Sequence, residues 1–222
     1  MDRHVSVPLY VGAFFLSLAI FLIGIYIGSL IDQSNLDQIS GDILVATEKV
    51  KSINLLLLAE GNSTSFCPVY LSEISSVESD VEKMGHKLTY LEEEKDIYDT
   101  ELKKEYFILE AESYLLSKKA KTLCDDKSVL LLYFYSNTNC SICYDQGIDV
   151  LKARDNILTG EKFIKIYSFD GTIGSPVAEA LMAEFNVTGY PTIIIDNVKY
   201  EGRLNTAEIY EIFQNHSNSQ AN

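Results

Sequence analysis

Residues 7–31 carry no charged side chain: Val-Pro-Leu-Tyr-Val-Gly-Ala-Phe-Phe-Leu-Ser-Leu-Ala-Ile-Phe-Leu-Ile-Gly-Ile-Tyr-Ile-Gly-Ser-Leu-Ile. About 20 apolar residues in a helix span the hydrocarbon core of a membrane. The apolar region of a secretory signal is shorter, about 7–15 residues, and ends in a small-residue cleavage site. This run is longer and has no clear site, so Val7 to Ile31 reads as an uncleaved transmembrane anchor. Arg3, His4 and the terminal amine precede it, and the first lysine after it is Lys49. Basic residues favour the cytoplasmic side, so residues 1–6 are expected in the cytoplasm. Everything after residue 31 is then expected outside it, as in a single-pass protein of the cell membrane.

The remaining chain is long enough for one ordinary domain with additions, or two small ones. The formal net charge of −14 argues against nucleic acid as a partner. The charge is uneven. Residues 32–126 hold 20 acidic and 10 basic side chains, net −10, against 11 and 7, net −4, in residues 127–222. The middle is therefore the solvated part. Leu36, Ile39, Ile43, Val50, Ile53 and Leu57 recur at helical spacing, with Ser34 as an N-cap, so residues 34–60 read as a helix, either separate from the span or running on directly from it. Gly61-Asn62-Ser63-Thr64-Ser65 breaks it, and Cys67-Pro68 opens the next helix.

From Ile74 to Leu123 one heptad line reads Ile74, Val81, Leu88, Lys95, Leu102, Leu109, Leu116, Leu123. Its companion, Val77, Met84, Leu91, Tyr98, fails at Glu105, Glu112 and Lys119. This is long helix with a narrow apolar seam. The seam weakens at Asp96-Ile97-Tyr98-Asp99-Thr100, where Asp99 or Thr100 can cap a second helix. Folding there gives an antiparallel hairpin whose open end joins Cys67 to Cys124 in a structural disulfide. A single rod would hold those cysteines roughly 80 Å apart at about 1.5 Å per residue. Gly85 is the rival turn, and free thiols or pairing between chains are the rival states of the two cysteines. Residues 32–126 thus form an extracytoplasmic helical hairpin or coiled-coil stalk, solvated for most of its length, with a partner-binding arm as the sharper alternative.

From Lys127 the composition changes. Val129-Leu130-Leu131-Leu132-Tyr133-Phe134-Tyr135 is an apolar, aromatic-rich run that reads as a buried strand. After a turn come Cys140-Ser141-Ile142-Cys143 and a helix from Tyr144 to Ile157. Cysteines three residues apart at a helix start lie near enough for a disulfide. Unpaired N–H groups and the helix dipole there stabilise a thiolate at the first. Phe163–Phe169 is a second strand, and Ser175-Pro176 opens a helix with Ser as cap. Thr192–Ile195, the turn Asp196-Asn197 and Val198–Glu201 form a hairpin. Asn205 caps a last helix to about Gln214, and residues 217–222 close a polar tail. Half a zinc site is the rival reading of the cysteine pair, but a structural site needs four ligands, usually as two close pairs, and no second pair exists. A permanent disulfide in a binding domain is the other rival.

Residues 127–216, an α/β segment of order β-α-β-α-β-β-α, resemble the thioredoxin fold. The resemblance rests on Cys140-Ser141-Ile142-Cys143 at a strand-to-helix junction and on Gly189-Tyr190-Pro191-Thr192 about 50 residues later, before a hairpin. It implies that Cys140 is the nucleophile and Cys143 the resolving cysteine. It also implies that Pro191 is cis and packs against the pair, and that Gly189, Tyr190 and Pro191 form a substrate platform. Thioredoxins carry a buried acid in the strand before the motif, where this chain has Tyr133, Phe134 and Tyr135. That departure argues against a fast reductase.

The expected activity is thiol–disulfide exchange. The chain reads as a membrane-anchored oxidoreductase or isomerase acting on thiols and disulfides of exported proteins. It needs a further redox partner and no cofactor or metal beyond the Cys140–Cys143 couple. The alternative is a non-catalytic anchored interaction protein with a thioredoxin-like binding domain and a helical arm. Sequons at Asn62, Asn139, Asn186 and Asn215 suit an exported chain.

Overall fold

A computed structural model describes residues 7–58, 66–157 and 163–219. The N-terminal residues 1–6, the break at Gly61–Ser65 with Asn62, and the tail end 220–222 lie outside the described residues. The chain divides into two compact units, Met1–Asp42 and Ile43–Asn222.

The first helix, α1, runs Val7–Leu58 without interruption. Ser34 therefore caps nothing; it sits inside the helix, which continues out of the apolar run. That run is long and apolar enough to cross a membrane, and none of its most apolar stretch is buried against protein.

In the second unit, Ile43, Ala46, Val50 and Ile53 of α1 are buried at spacings of three and four. Helix α2 spans Phe66–Lys95 and α3 spans Thr100–Cys124. Lys49 of α1 bonds to Asp80 of α2 at 2.5 Å and to Ser76 at 3.3 Å. The chain reverses between α2 and α3. Asp96 takes positive φ (55°), and the Ile97 N–H donates back to the Leu91 carbonyl at 2.9 Å. Such a left-handed C-terminal turn satisfies carbonyls that the helix end would leave open. Asp99 then caps α3, its carboxylate accepting from the Leu102 N–H at 3.0 Å. A Cβ on Gly85, the rival turn, would lie 2.6 Å from the Tyr106 hydroxyl, so this glycine serves close helix packing.

The heptad residues Ile74, Val77, Val81, Met84, Leu88 and Leu91 form the buried face of α2. Helix α3 is buried more widely than its seam, because it meets two partners. Beyond the hairpin face, its Phe107 packs edge-on to Phe169 (5.4 Å between centroids) and its Tyr114 to Tyr167 (5.5 Å). The hairpin is thus not a solvated stalk: α3 is a layer of the α/β unit.

From Val129 the elements are β1 (Val129–Tyr135), α4 (Cys143–Ile157), β2 (Ile164–Asp170), α5 (Pro176–Glu184), β3 (Thr192–Ile195), β4 (Val198–Glu201) and α6 (Thr206–Ser219). The sheet order is β2-β1-β3-β4. β1 pairs parallel to β2 with Tyr133 opposite Ser168, and antiparallel to β3 with Phe134 opposite Thr192. Side chains alternate along a strand. Val129, Leu131 and Tyr133 therefore face one core with Val150, Ala153 and Ile157 of α4 and Ile209 and Phe213 of α6. The opposite face, with Phe134 stacked on Phe169, meets α3. The Asp196-Asn197 turn has positive φ at both residues, which suits the twist of a two-residue hairpin. Asn205 caps α6 through the Ala207 and Glu208 N–H groups. Ser175 precedes α5 but makes no side-chain cap; its Oγ is buried without a partner. α6 continues to Ser219, through the stretch expected to begin the polar tail.

Candidate functional site

β1 delivers the chain to the end of the sheet at Tyr135, and Ser136 shapes the connection to the motif. Its buried Oγ accepts from the N–H groups of Thr138 (3.2 Å) and Asn139 (3.4 Å). Such side-chain turns replace the ladder partners lost where a strand ends. Cys140 follows, and α4 begins at Cys143. The two cysteines are bonded, with Cα atoms 5.3 Å apart. Cys140 is partly exposed, whereas Cys143 is buried at 5 %. That asymmetry leaves Cys140 the more accessible of the two.

Three groups hold the start of α4. The Tyr133 hydroxyl, buried beneath it, donates to the Cys143 carbonyl at 2.5 Å. Burial pushes this phenol up, out of the range in which it ionises. Gln146, fully buried, clamps Leu204: its amide donates to the carbonyl at 2.9 Å and its oxygen accepts from the N–H at 2.6 Å. Arg203 donates to Asp149 at 2.8 Å and to Asp145 at 3.1 Å. Burial pushes the Asp149 carboxyl up, but the hydrogen bonds from Arg203 and Thr206 and the guanidinium charge outweigh it and hold it below its ordinary range. The helix carrying Cys143 is therefore fixed to the β4–α6 connection.

The register places the second motif. Thr192 lies opposite Phe134, so the preceding Pro191 stands level with Tyr135, at the sheet end from which the cysteine motif departs. Pro191 is buried and the Tyr190–Pro191 peptide is cis. Thr192 Oγ1 donates to the Gly189 carbonyl at 2.8 Å. The Tyr190 ring is tucked inward: its hydroxyl is 3.4 Å from Met182 Sδ, and a Cβ on Gly171 would meet it at 2.2 Å. Gly171 is the residue that makes room. Cys67 and Cys124 are bonded at 2.03 Å and join the open end of the α2–α3 hairpin.

Sequence reasoning missed one carboxyl. Glu110, on α3, is buried, and its Oε1 accepts from the Ser168 N–H of β2 at 2.6 Å. Burial pushes its pKa up to about 8, against hydrogen bonds from Ser168 and Tyr106 and the charge of Lys103. The signal was an acid flanked by Leu109 and Ala111 in a helix taken for solvated.

Fold and site together give a mixed four-stranded sheet flanked by helices, with a bonded Cys-x-x-Cys pair at a strand–helix junction. Neither the family models nor the curated proteins give a match to the chain. Among solved structures it is similar to chloroplastic thioredoxin z (19 % identity, TM-score 0.35), over 46 % of this chain and 89 % of that one. It is also similar to the first thioredoxin domain of mouse protein disulfide-isomerase A4 (24 %, TM-score 0.34), over 45 % and 71 %. A third is described as a malarial protein (21 %, TM-score 0.34), over 40 % and 97 %.

Proposed function

We propose that the chain is a membrane-anchored thiol–disulfide oxidoreductase acting outside the cytoplasm on exported proteins. The observation that carries this is the unequal cysteine pair, with Cys140 open to a partner and Cys143 buried on a helix start. In the reduced form the helix start favours a thiolate at Cys140. That sulfur attacks a substrate disulfide and expels one substrate thiolate, giving a mixed disulfide. Cys143 attacks the Cys140 sulfur, expels the second substrate thiolate and restores the bonded pair. Two electrons thereby pass from the pair to the substrate. Run backwards, the bonded pair oxidises a substrate dithiol and hands the electrons to a second redox partner. Gly189, Tyr190 and Pro191 serve as the substrate platform through their backbone, since the Tyr190 ring is turned towards Met182. The Cys67–Cys124 bond is structural, and the apolar run Val7–Ile31 anchors the whole.

The test is a trap. Cys143→Ala leaves Cys140 without its resolving partner, so mixed disulfides with exported proteins should accumulate and disappear on reduction. If none accumulate and the wild-type pair resists reduction by dithiol buffers, the exchange reading is wrong.

A further inference from the structure

A cleft of about 880 Å³ is lined by residues of α2, α3, β1, α4 and β2. Cys140, Cys143 and Tyr144 line it at the motif. It continues past Tyr135 and Ile166 to Glu110 and Ser113. The register sets the depth. Glu110 is bonded to Ser168, which pairs with Tyr133, two residues before the end of β1. At about 3.3 Å per residue that is roughly 7 Å below the strand end from which the motif departs.

Two atoms at this depth are unsatisfied. Glu110 Oε2 and Ser113 Oγ are both buried and have no hydrogen-bond partner. Buried polar atoms without partners are rare in native proteins and call for an explanation. The cations around them are already committed. Lys103 pairs with Glu92 at 2.7 Å and Lys165 with Glu78 at 2.8 Å. The Tyr167 hydroxyl also goes to Glu78, at 3.0 Å. The Tyr106 hydroxyl also reaches Glu110, and none of these groups meets Oε2 or Ser113 Oγ, which leaves both atoms open to a donor from outside. Tyr135 and Ile166 line the cleft beside Glu78, Glu82 and Glu92, a mixture that suits a methylene stem ending in a positive charge. A chain of net charge −14 also draws basic partners.

We propose that this cleft receives a lysine or arginine side chain of the substrate protein, about two residues from the cysteine that exchanges with Cys140, with its cation seated on Glu110 and Ser113. The assignment rests on the exchange reading and names its substrate class: disulfides with a neighbouring basic residue. A seated cation also ionises Glu110, whose carboxyl burial keeps at about 8, so binding near neutral pH releases a proton. The groups facing Glu110 are Lys103 and Tyr106 on its own helix, Tyr135 on β1 and Tyr167 on β2, and Glu78, Glu92 and Lys165 line the same cleft. Burial pushes all three phenols well above the neutral range.

The test uses the full chain and short peptides with serine in place of the exchanging cysteine. One peptide carries lysine two residues away, and the other carries acetyl-lysine there. Calorimetry in two buffers of different ionisation enthalpy reads affinity and proton release together. The lysine peptide is expected to bind about tenfold tighter, a difference of about 1.4 kcal/mol, and to release a proton. Glu110→Gln should remove both effects. Equal affinity for the two peptides, or tighter binding without proton release, overturns the assignment. The comparison on the wild-type chain decides it even if the variant does not fold. Cysteine-containing forms of the same peptides separate the two readings. Equal exchange rates overturn the cleft assignment and leave the oxidoreductase. No exchange, with lysine preference retained in binding, overturns the oxidoreductase and leaves the cleft.

Discussion

At the scale of single residues the site depends on buried polar groups that have one task each. Tyr133 is the clearest. Its hydroxyl crosses from β1 to the Cys143 carbonyl, and the ring stacks on Tyr135 at 5.4 Å. Tyr133→Phe keeps the ring and removes the donor, so it is expected to lower stability by about 1–2 kcal/mol. Denaturant melting checks this, and an unchanged midpoint would show that the bond contributes nothing. Glu110 gives a prediction about pH. Its carboxyl titrates at 4.5 when unperturbed and at about 8 in the fold. Below the lower value both states are neutral, and stability is at its fullest. Between the two the unfolded chain ionises alone, so stability falls as pH rises and levels off above about 8, a total on the order of 5 kcal/mol. Asp126 and Asp149, held below their ordinary range, act in the opposite sense and only at lower pH. Urea midpoints at about pH 5 and about pH 8 should therefore differ in the wild type and converge in Glu110→Gln. The Cys140–Cys143 bond was legible from the spacing of the two cysteines, and the cis Tyr190–Pro191 peptide from the resemblance that the Gly189–Thr192 stretch carries. Glu110, Gln146 and Arg203 were not, since their roles depend on what a distant segment brings against them.

At the scale of elements the instructive case is the hairpin. Its turn was legible: Asp99 is a helix cap in sequence and in structure. Its packing was not. The seam line that fails at Glu105, Glu112 and Lys119 suggests a helix half in water. Yet Phe107, Ala111 and Tyr114, at spacings of four and three, make a second apolar face that meets the sheet. Two faces on one helix dilute the single-face periodicity from which a seam is read. Phe107→Ala is accordingly expected to destabilise the whole α/β unit by about 3–5 kcal/mol, read as one cooperative transition. A solvated stalk would show almost no change. The Cys67–Cys124 bond closes a loop of 57 residues around the hairpin. Loop entropy for that length is about 4 kcal/mol at 25 °C. Replacing both cysteines with alanine should cost stability of that order, and a thermal melt of the double variant checks it.

At the scale of the whole molecule, the proposed exchange carries one chemical requirement. A dithiol pair that exchanges with exported proteins must face an oxidising compartment, because disulfides do not persist in the cytosol. If the apolar run crosses a membrane, charge decides which way it lies. Arg3 precedes the apolar run, whereas Asp32, Asp37 and Asp42 follow it and no lysine appears before Lys49. Only the basic residues count in the positive-inside rule, and here they are few. The orientation therefore rests on a small difference that experiment can reverse. After mild external reduction of intact cells, a membrane-impermeant maleimide should label Cys140, the more exposed of its pair. Adding three lysines directly after Ile31 should oppose the native bias and reduce that labelling. Labelling of the native chain only after lysis would put the pair on the reducing side. The bonded Cys140–Cys143 form would then be transient there, and the proposed substrates would lie across the membrane from the nucleophile.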